Sequence, residues 1–414
     1  MNIETPAGDG RTHWKRSFFT IAAGQAVSLI GSSAVQFALI WWLASETASP
    51  IMMSLAGLAA FLPQMLLGPF VGVWIDRLPR KTIIIGADLF LGIAATCYAV
   101  ALHFWELPAW TVCLVLGIRG IGGVFHAPAI QAAIPMLVPK EELLRVNGWT
   151  QFLISGANIL GPAIGAAMYA ALPLPVILLS DLIGAIAACL AVAVVKIPEL
   201  AHEEQKQPDF IREIREGAVI YLNDKKLLIV TLATLGGMIF FAPLSTYYPL
   251  MTSDYFKGTA WDASFVEITF ALGMMLGAIA FSQFGRIQNK LNVVQLGLMA
   301  LGATALISGI LPQNRTGFWI FAVVCLAMGG SMNVFNIPYT AYLQETIPHE
   351  AQGRVFSLLG SMTSFTMPVG LLIAGPVAEA EGVSFWFLIT GVVVIIAALA
   401  SMAALRRYEQ KAGA

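Results

Sequence analysis

Charge is what this sequence has least of. Of its 414 residues, 11% are Asp, Glu, Lys or Arg and 58% are hydrophobic, with a net charge of −1. A soluble domain carries about 25% charged residues. A chain of this length could not hide so much apolar surface from water, so the broad class is integral membrane protein. The near-zero net charge gives no attraction to nucleic acid. Histidine is also scarce: His13, His103, His126, His202 and His349 are scattered, with no HExxH or GxSxG context. That leaves a membrane-embedded hydrolase or metalloenzyme without its nucleophile or ligands, and no metal or cofactor is expected. No phosphate-binding P-loop is present, so nucleotide-driven transport is not expected. The four cysteines, Cys97, Cys113, Cys189 and Cys325, lie inside apolar runs and read as small core residues.

The apolar runs themselves are abundant. Twelve are long enough for a bilayer core, which takes about 20 residues per helix: 17–44, 51–75, 82–104, 107–127, 146–171, 173–195, 226–251, 263–284, 291–311, 316–338, 355–378 and 383–405. In lipid the backbone must satisfy itself, so each is expected to be a helix. The first run is too long for a signal-peptide core and reads as a retained span. With the N-terminus inside, 20 of the 23 Lys and Arg fall on the cytoplasmic side. Two, Lys257 and Arg315, fall outside, and Arg119 lies within a span. That alternation predicts a multi-pass protein of a bacterial-type cell membrane with both termini cytoplasmic.

The sequence also repeats itself. "VPKEELLRV" at 138–146 is answered by "IPHEAQGRV" at 347–355, an offset of 209 residues. The same offset carries Arg77 to Arg286 and Lys81 to Lys290. The expected fold is therefore all-α, twelve transmembrane helices in two six-helix pseudo-repeats. The first half would span 1–195 and the second 226–414. Between them, 196–225 reads as a cytoplasmic linker in which Phe210, Ile211, Ile214, Ala218 and Tyr221 share one face of an amphipathic helix.

Charges that do occur are grouped. "GVWIDRLPRK" at 72–81 places Asp76, Arg77, Arg80 and Lys81 at the cytoplasmic ends of spans two and three. Topology alone explains the cations and leaves the acid unexplained. An acid there can pair with nearby arginines or sit against a helix N-terminus. Gly72, Asp76, Arg77, Arg80 and Lys81 resemble the loop signature of the major facilitator superfamily. In that family the loop helps latch the cytoplasmic side, and Asp88 in span three is expected to join the latch through Arg80 or Arg119. Pro79 and Leu78 stand where the family carries a glycine, and the second-half copy, Gly285-Arg286 to Asn289-Lys290, lacks the acid.

Two further stretches resemble family signatures. "RGIGG" in span four begins with Arg119, a guanidinium inside an apolar helix, which needs a partner or a wet cavity. It resembles the superfamily's proton-coupling signature. In span five, Gly148, Ala157, Gly161, Pro162, Gly165 and Ala166 reproduce the spacing of the antiporter signature, with two alanines replacing glycines. Small residues at this spacing also serve plain helix packing. From "WKRSFFTIAAGQAVSLI" at 14–30 to "GRVFSLLGS" at 353–361, the chain resembles the macrolide efflux subfamily of these drug:proton antiporters.

That resemblance implies proton-driven efflux of lipophilic antibiotics, macrolides first, by alternating access. The alternative is export of another small molecule, such as tetracycline or a siderophore. In the family fold spans one, four, seven and ten line the central cavity. The candidates there are Gln25, Ser28, Ser32 and Gln36, which share a helical face, with His126, Tyr247, Asn333 and Asn336. Arg119, Asp181 and Glu267 are the proton-coupling candidates, because a membrane carboxyl can be held near neutrality by burial. The expected partners are a lipophilic drug, protons and membrane lipid. The protein is read as a monomer, and a separate ATPase subunit is left open.

Overall fold

The computed structural model describes residues 10–197, 219–222, 224–283 and 289–412. Among them every regular element is helical. The first six crossings are α1 (Gly10–Thr47), α2 (Pro50–Arg77), α3 (Arg80–Phe104), α4 (Thr111–Leu137), α5 (Leu143–Ala171) and α6 (Leu174–Val194). The seventh crossing is made in pieces: α7 (Lys225–Phe241), α8 (Leu244–Leu250) and a π turn, Met251–Tyr255. The last five are α9 (Ala260–Gln283), α10 (Lys290–Gly309), α11 (Arg315–Thr346), α12 (His349–Glu381) and α13 (Val383–Ala412). Among the described residues twelve helical stretches are long and apolar enough to cross a membrane, as the runs predict.

Local chemistry sets the helix ends. Proline starts α2 and caps α3, α6 and α12, where its missing N–H leaves no bond unmade. Asp224 Oδ1 caps α7 by accepting from the N–H groups of Lys226 and Leu227, at 2.9 and 3.0 Å. Asn289 and Asn314 do the same for α10 and α11. Pro243 caps α8 and has no N–H to continue α7, so the seventh crossing breaks there. Of the amphipathic helix expected in the linker, only 219–222 fall among the described residues, and these are helical.

The chain forms two compact units. The first takes α1 as far as Trp42 and the chain from Ala59 through α6. Its helices approach closely through small residues, the means available where lipid supplies no hydrophobic drive. A Cβ on Gly24 would overlap Ala191 of α6, and one on Gly184 would stand 3.1 Å from Ser28 Cα. These contacts bring α1 against α6. Gly92 of α3 lies equally close to Ala185 of α6.

The second unit takes α7 to α13 together with Leu43–Leu58, the end of α1 and the start of α2. Glu379 of α12 holds this added segment: its Oε2 accepts from Ser49 Oγ at 2.8 Å and from the Ile51 N–H at 3.1 Å. The carboxylate thus satisfies a free N–H at the start of α2, where a helix favours negative charge. Deeper in, Ser54 Oγ and Tyr247 Oη share a buried hydrogen bond. The core beyond is aromatic, with Tyr248, Phe321 and Phe387 mutually in edge or tilted contact.

Candidate functional site

Two acids sit inside the first unit, one on α3 and one on α6. Each is reached from the polar stripe of α1. Asp181 is 2% exposed and forms an ion pair with Arg119 of α4. It also accepts from Ser32 Oγ at 2.6 Å, while Arg119 Nη2 donates to the Ser32 carbonyl at 3.1 Å. Arg119 therefore has the partner that its place in an apolar helix demands, and the pair ties α1, α4 and α6 together.

Asp88 is 1% exposed. Its Oδ2 accepts from Gln25 Nε2 at 3.0 Å and its Oδ1 from Ser28 Oγ at 3.2 Å. His126 Nε2 of α4 lies 3.2 Å from Oδ1. That is ion-pair distance, but the nitrogen is off the line a hydrogen bond requires, and it has no hydrogen-bond partner among the described residues. Gln25 Oε1 is likewise buried and unpartnered.

These bonds set Asp88 apart from the cations of the expected latch. Asp88 does not join Arg80 or Arg119. Arg80 donates to the Ala132 carbonyl of α4 at 2.7 Å, and Arg119 is held by Asp181. The reason is register: Asp88 lies more than two turns along α3 from Arg80 and faces α1. Gln25 and Ser28 are buried, 5% and 7% exposed, and donate to Asp88. Tyr247 is fully buried, and its Oη shares a hydrogen bond with Ser54 Oγ. Ser32 and Gln36 are half-buried. Asn336 is exposed, whereas half-buried Asn333 donates its Nδ2 to the Met274 carbonyl of α9.

In the charged stretch, Lys81 Nζ donates to the Ala193 and Val195 carbonyls at 2.6 and 2.9 Å. It caps the C-terminus of α6, where unpaired carbonyls and the helix dipole favour a cation. Gly72, Asp76 and Arg77 lie on α2, and their side chains fall outside the described residues. So do residues 284–288, including the second-half copy's Gly285-Arg286. Its Lys290 pairs with Glu345 at 2.7 Å.

The small residues of span five face α1. A Cβ on Gly161 would overlap Ser33, and one on Gly165 would stand 2.7 Å from the Ala34 carbonyl oxygen. Ala157 and Ala166 are buried beside them, whereas Gly148 meets nothing within 4 Å. The close approach thus falls on the residues next to Ser32, which holds the Arg119–Asp181 pair.

Glu267, on α9, is half-buried; among the described residues it accepts no hydrogen bond and pairs with no cation. The residues that sequence reasoning missed are Ser49, Ser54 and Glu379. Glu379 carried a faint signal, an acid at the end of an apolar run. Nothing in the sequence pointed to its partner 330 positions away.

Comparison with known proteins supplies the family. The description of the Major Facilitator Superfamily matches residues 21–353. The chain belongs to that superfamily. Macrolide efflux protein A of Streptococcus pyogenes is 41% identical over 388 residues, covering 94% of this chain and 95% of that protein. Its namesake from Enterococcus faecalis is 40% identical over 326 residues, covering 78% and 99%. Among solved structures, an inward-facing bacterial homologue of the human lysosomal transporter Spinster aligns with a TM-score of 0.70 at 14% identity, over 97% of this chain and 98% of that one. A bacterial homologue of the iron transporter ferroportin aligns with a TM-score of 0.69 at 16% identity, over 94% and 98%. These likenesses establish the fold. The chain is a multi-pass membrane protein of a transporter family.

Proposed function

We propose that this protein exports macrolide antibiotics and that inward proton flow drives the export. The observation that carries the substrate class is the end-to-end likeness to the macrolide efflux proteins, 41% over 94% of the chain. Two halves rocking about a central site would open alternately to either side. A membrane potential supplies about 2.3 kcal/mol per charge per 100 mV, so a carried proton can drive an uphill drug. The carrier must be an acid within the membrane, and Asp88, Asp181 and Glu267 are the three candidates inside the helices described above. Both termini lie in the cytoplasm on this reading, which leaves most cations inside.

Accumulation of labelled erythromycin in expressing cells tests the proposal. Low accumulation that rises to the level of empty cells when a protonophore is added is the expected result. Equal accumulation in expressing and empty cells removes macrolides. Low accumulation that ignores the protonophore removes the proton.

A further inference from the structure

The two buried acids of the first unit differ in the charge that faces them. Asp181 faces Arg119, whose guanidinium stays protonated at any physiological pH. Adding a proton to Asp181 would leave a buried guanidinium without its counter-charge, an expensive state. Ser32 completes the pair from both sides, through its hydroxyl and its carbonyl. The Arg119–Asp181 pair is built to stay charged.

Asp88 has no Lys or Arg within ion-pair distance among the described residues. The groups facing it are Gln25 and Ser28 of α1, His126 of α4 and Cys189 of α6, whose Sγ donates to the Ile85 carbonyl at 3.6 Å. Among the described residues the one potential cation beside it is His126, charged only when protonated. Gln25 serves either state of the acid. Its Nε2 donates to the carboxylate, and its unpartnered Oε1 could accept from a carboxylic acid after a half-turn of the amide. His126 is 13% exposed, against 1% for Asp88.

Resting on the antiport reading, we infer that Asp88, with His126 beside it, carries the exchanged proton, and that Arg119–Asp181 is a fixed clamp. The proton adds to a carboxylate oxygen of Asp88 and leaves from it, and no other bond changes. His126 is a positioning residue, its Nε2 3.2 Å from Asp88 Oδ1.

The test measures proton release into weakly buffered detergent solution when erythromycin is added to the purified protein. Wild type is expected to release protons, and Asp88→Asn to bind erythromycin with at least tenfold lower release. His126→Gln is expected to shift the pH midpoint of release. Wild-type release from Asp88→Asn overturns the inference. So does loss of release from Glu267→Gln alone, which would put the carrier in the second unit. Wild type that binds erythromycin without releasing protons defeats the antiport reading instead. A drug-free arm separates the two failures and serves if Asp88→Asn does not fold. The infrared carbonyl band of a protonated carboxyl is followed against pH in wild type and His126→Gln. A midpoint that does not move in His126→Gln overturns the inference even where antiport holds.

Discussion

Arg119 and Asp181 pair in the membrane interior of the first unit, and neither side chain is more than 7% exposed. The Ser32 hydroxyl and carbonyl close the pair from α1. Removing one member leaves the other charge buried and alone, which costs about 3–5 kcal/mol. Arg119→Ala and Asp181→Asn should each lower the unfolding midpoint in detergent sharply. The double variant Arg119→Leu/Asp181→Leu should recover most of the loss, since an apolar pair of similar volume carries no desolvation cost. Equal loss in single and double variants would show that the charges are needed for more than each other.

Span five offers a steric prediction. Gly161 and Gly165 have no room for a Cβ against Ser33 and Ala34, whereas Gly148 faces open space. Gly161→Val and Gly165→Val should each destabilise by about 1–3 kcal/mol through overpacking. Gly148→Ala should be neutral or slightly stabilising, because alanine favours the helix by about 1 kcal/mol. Thermal unfolding in one detergent ranks the three.

The Ser54–Tyr247 hydrogen bond joins the start of α2 to α8 inside the second unit. Tyr247→Phe strands the serine hydroxyl and should cost about 1–3 kcal/mol, as should Ser54→Ala through the tyrosine. The double variant should cost clearly less than the sum of the singles. A sum that adds without coupling would mean that the hydroxyls find other partners.

Glu379 gives the mildest effect. Its carboxylate holds the Ile51 N–H and Ser49 Oγ at an exposed helix start. Glu379→Ala should cost about 0.5–2 kcal/mol, the range for a lost helix cap. Amide hydrogen exchange at the first turn of α2 should quicken with it, while exchange in α9 to α11 stays unchanged.

The sequence by itself determined the class, the twelve crossings and the membership of the family. Apolar runs of bilayer length have one backbone solution in lipid, and the family signatures lie in contiguous stretches such as Gly72–Lys81 and Arg119–Gly123. It also marked the chemically costly residues, because Asp88, Arg119 and Asp181 stand out against their runs. Their pairing was decided only by the tertiary structure. Arg119 and Asp181 are 62 positions apart, and Gln25 and Asp88 are 63. Periodicity tells which residues share a helix face, and it does not tell which neighbour that face meets. The polar stripe of α1 did not name its own partners, because polar residues on a membrane helix serve water and other helices alike. Only the close approach of α1 to α6 at Gly24 and Gly184, with Asp88 reaching α1 from α3, turned that stripe into the ligand set of two buried acids.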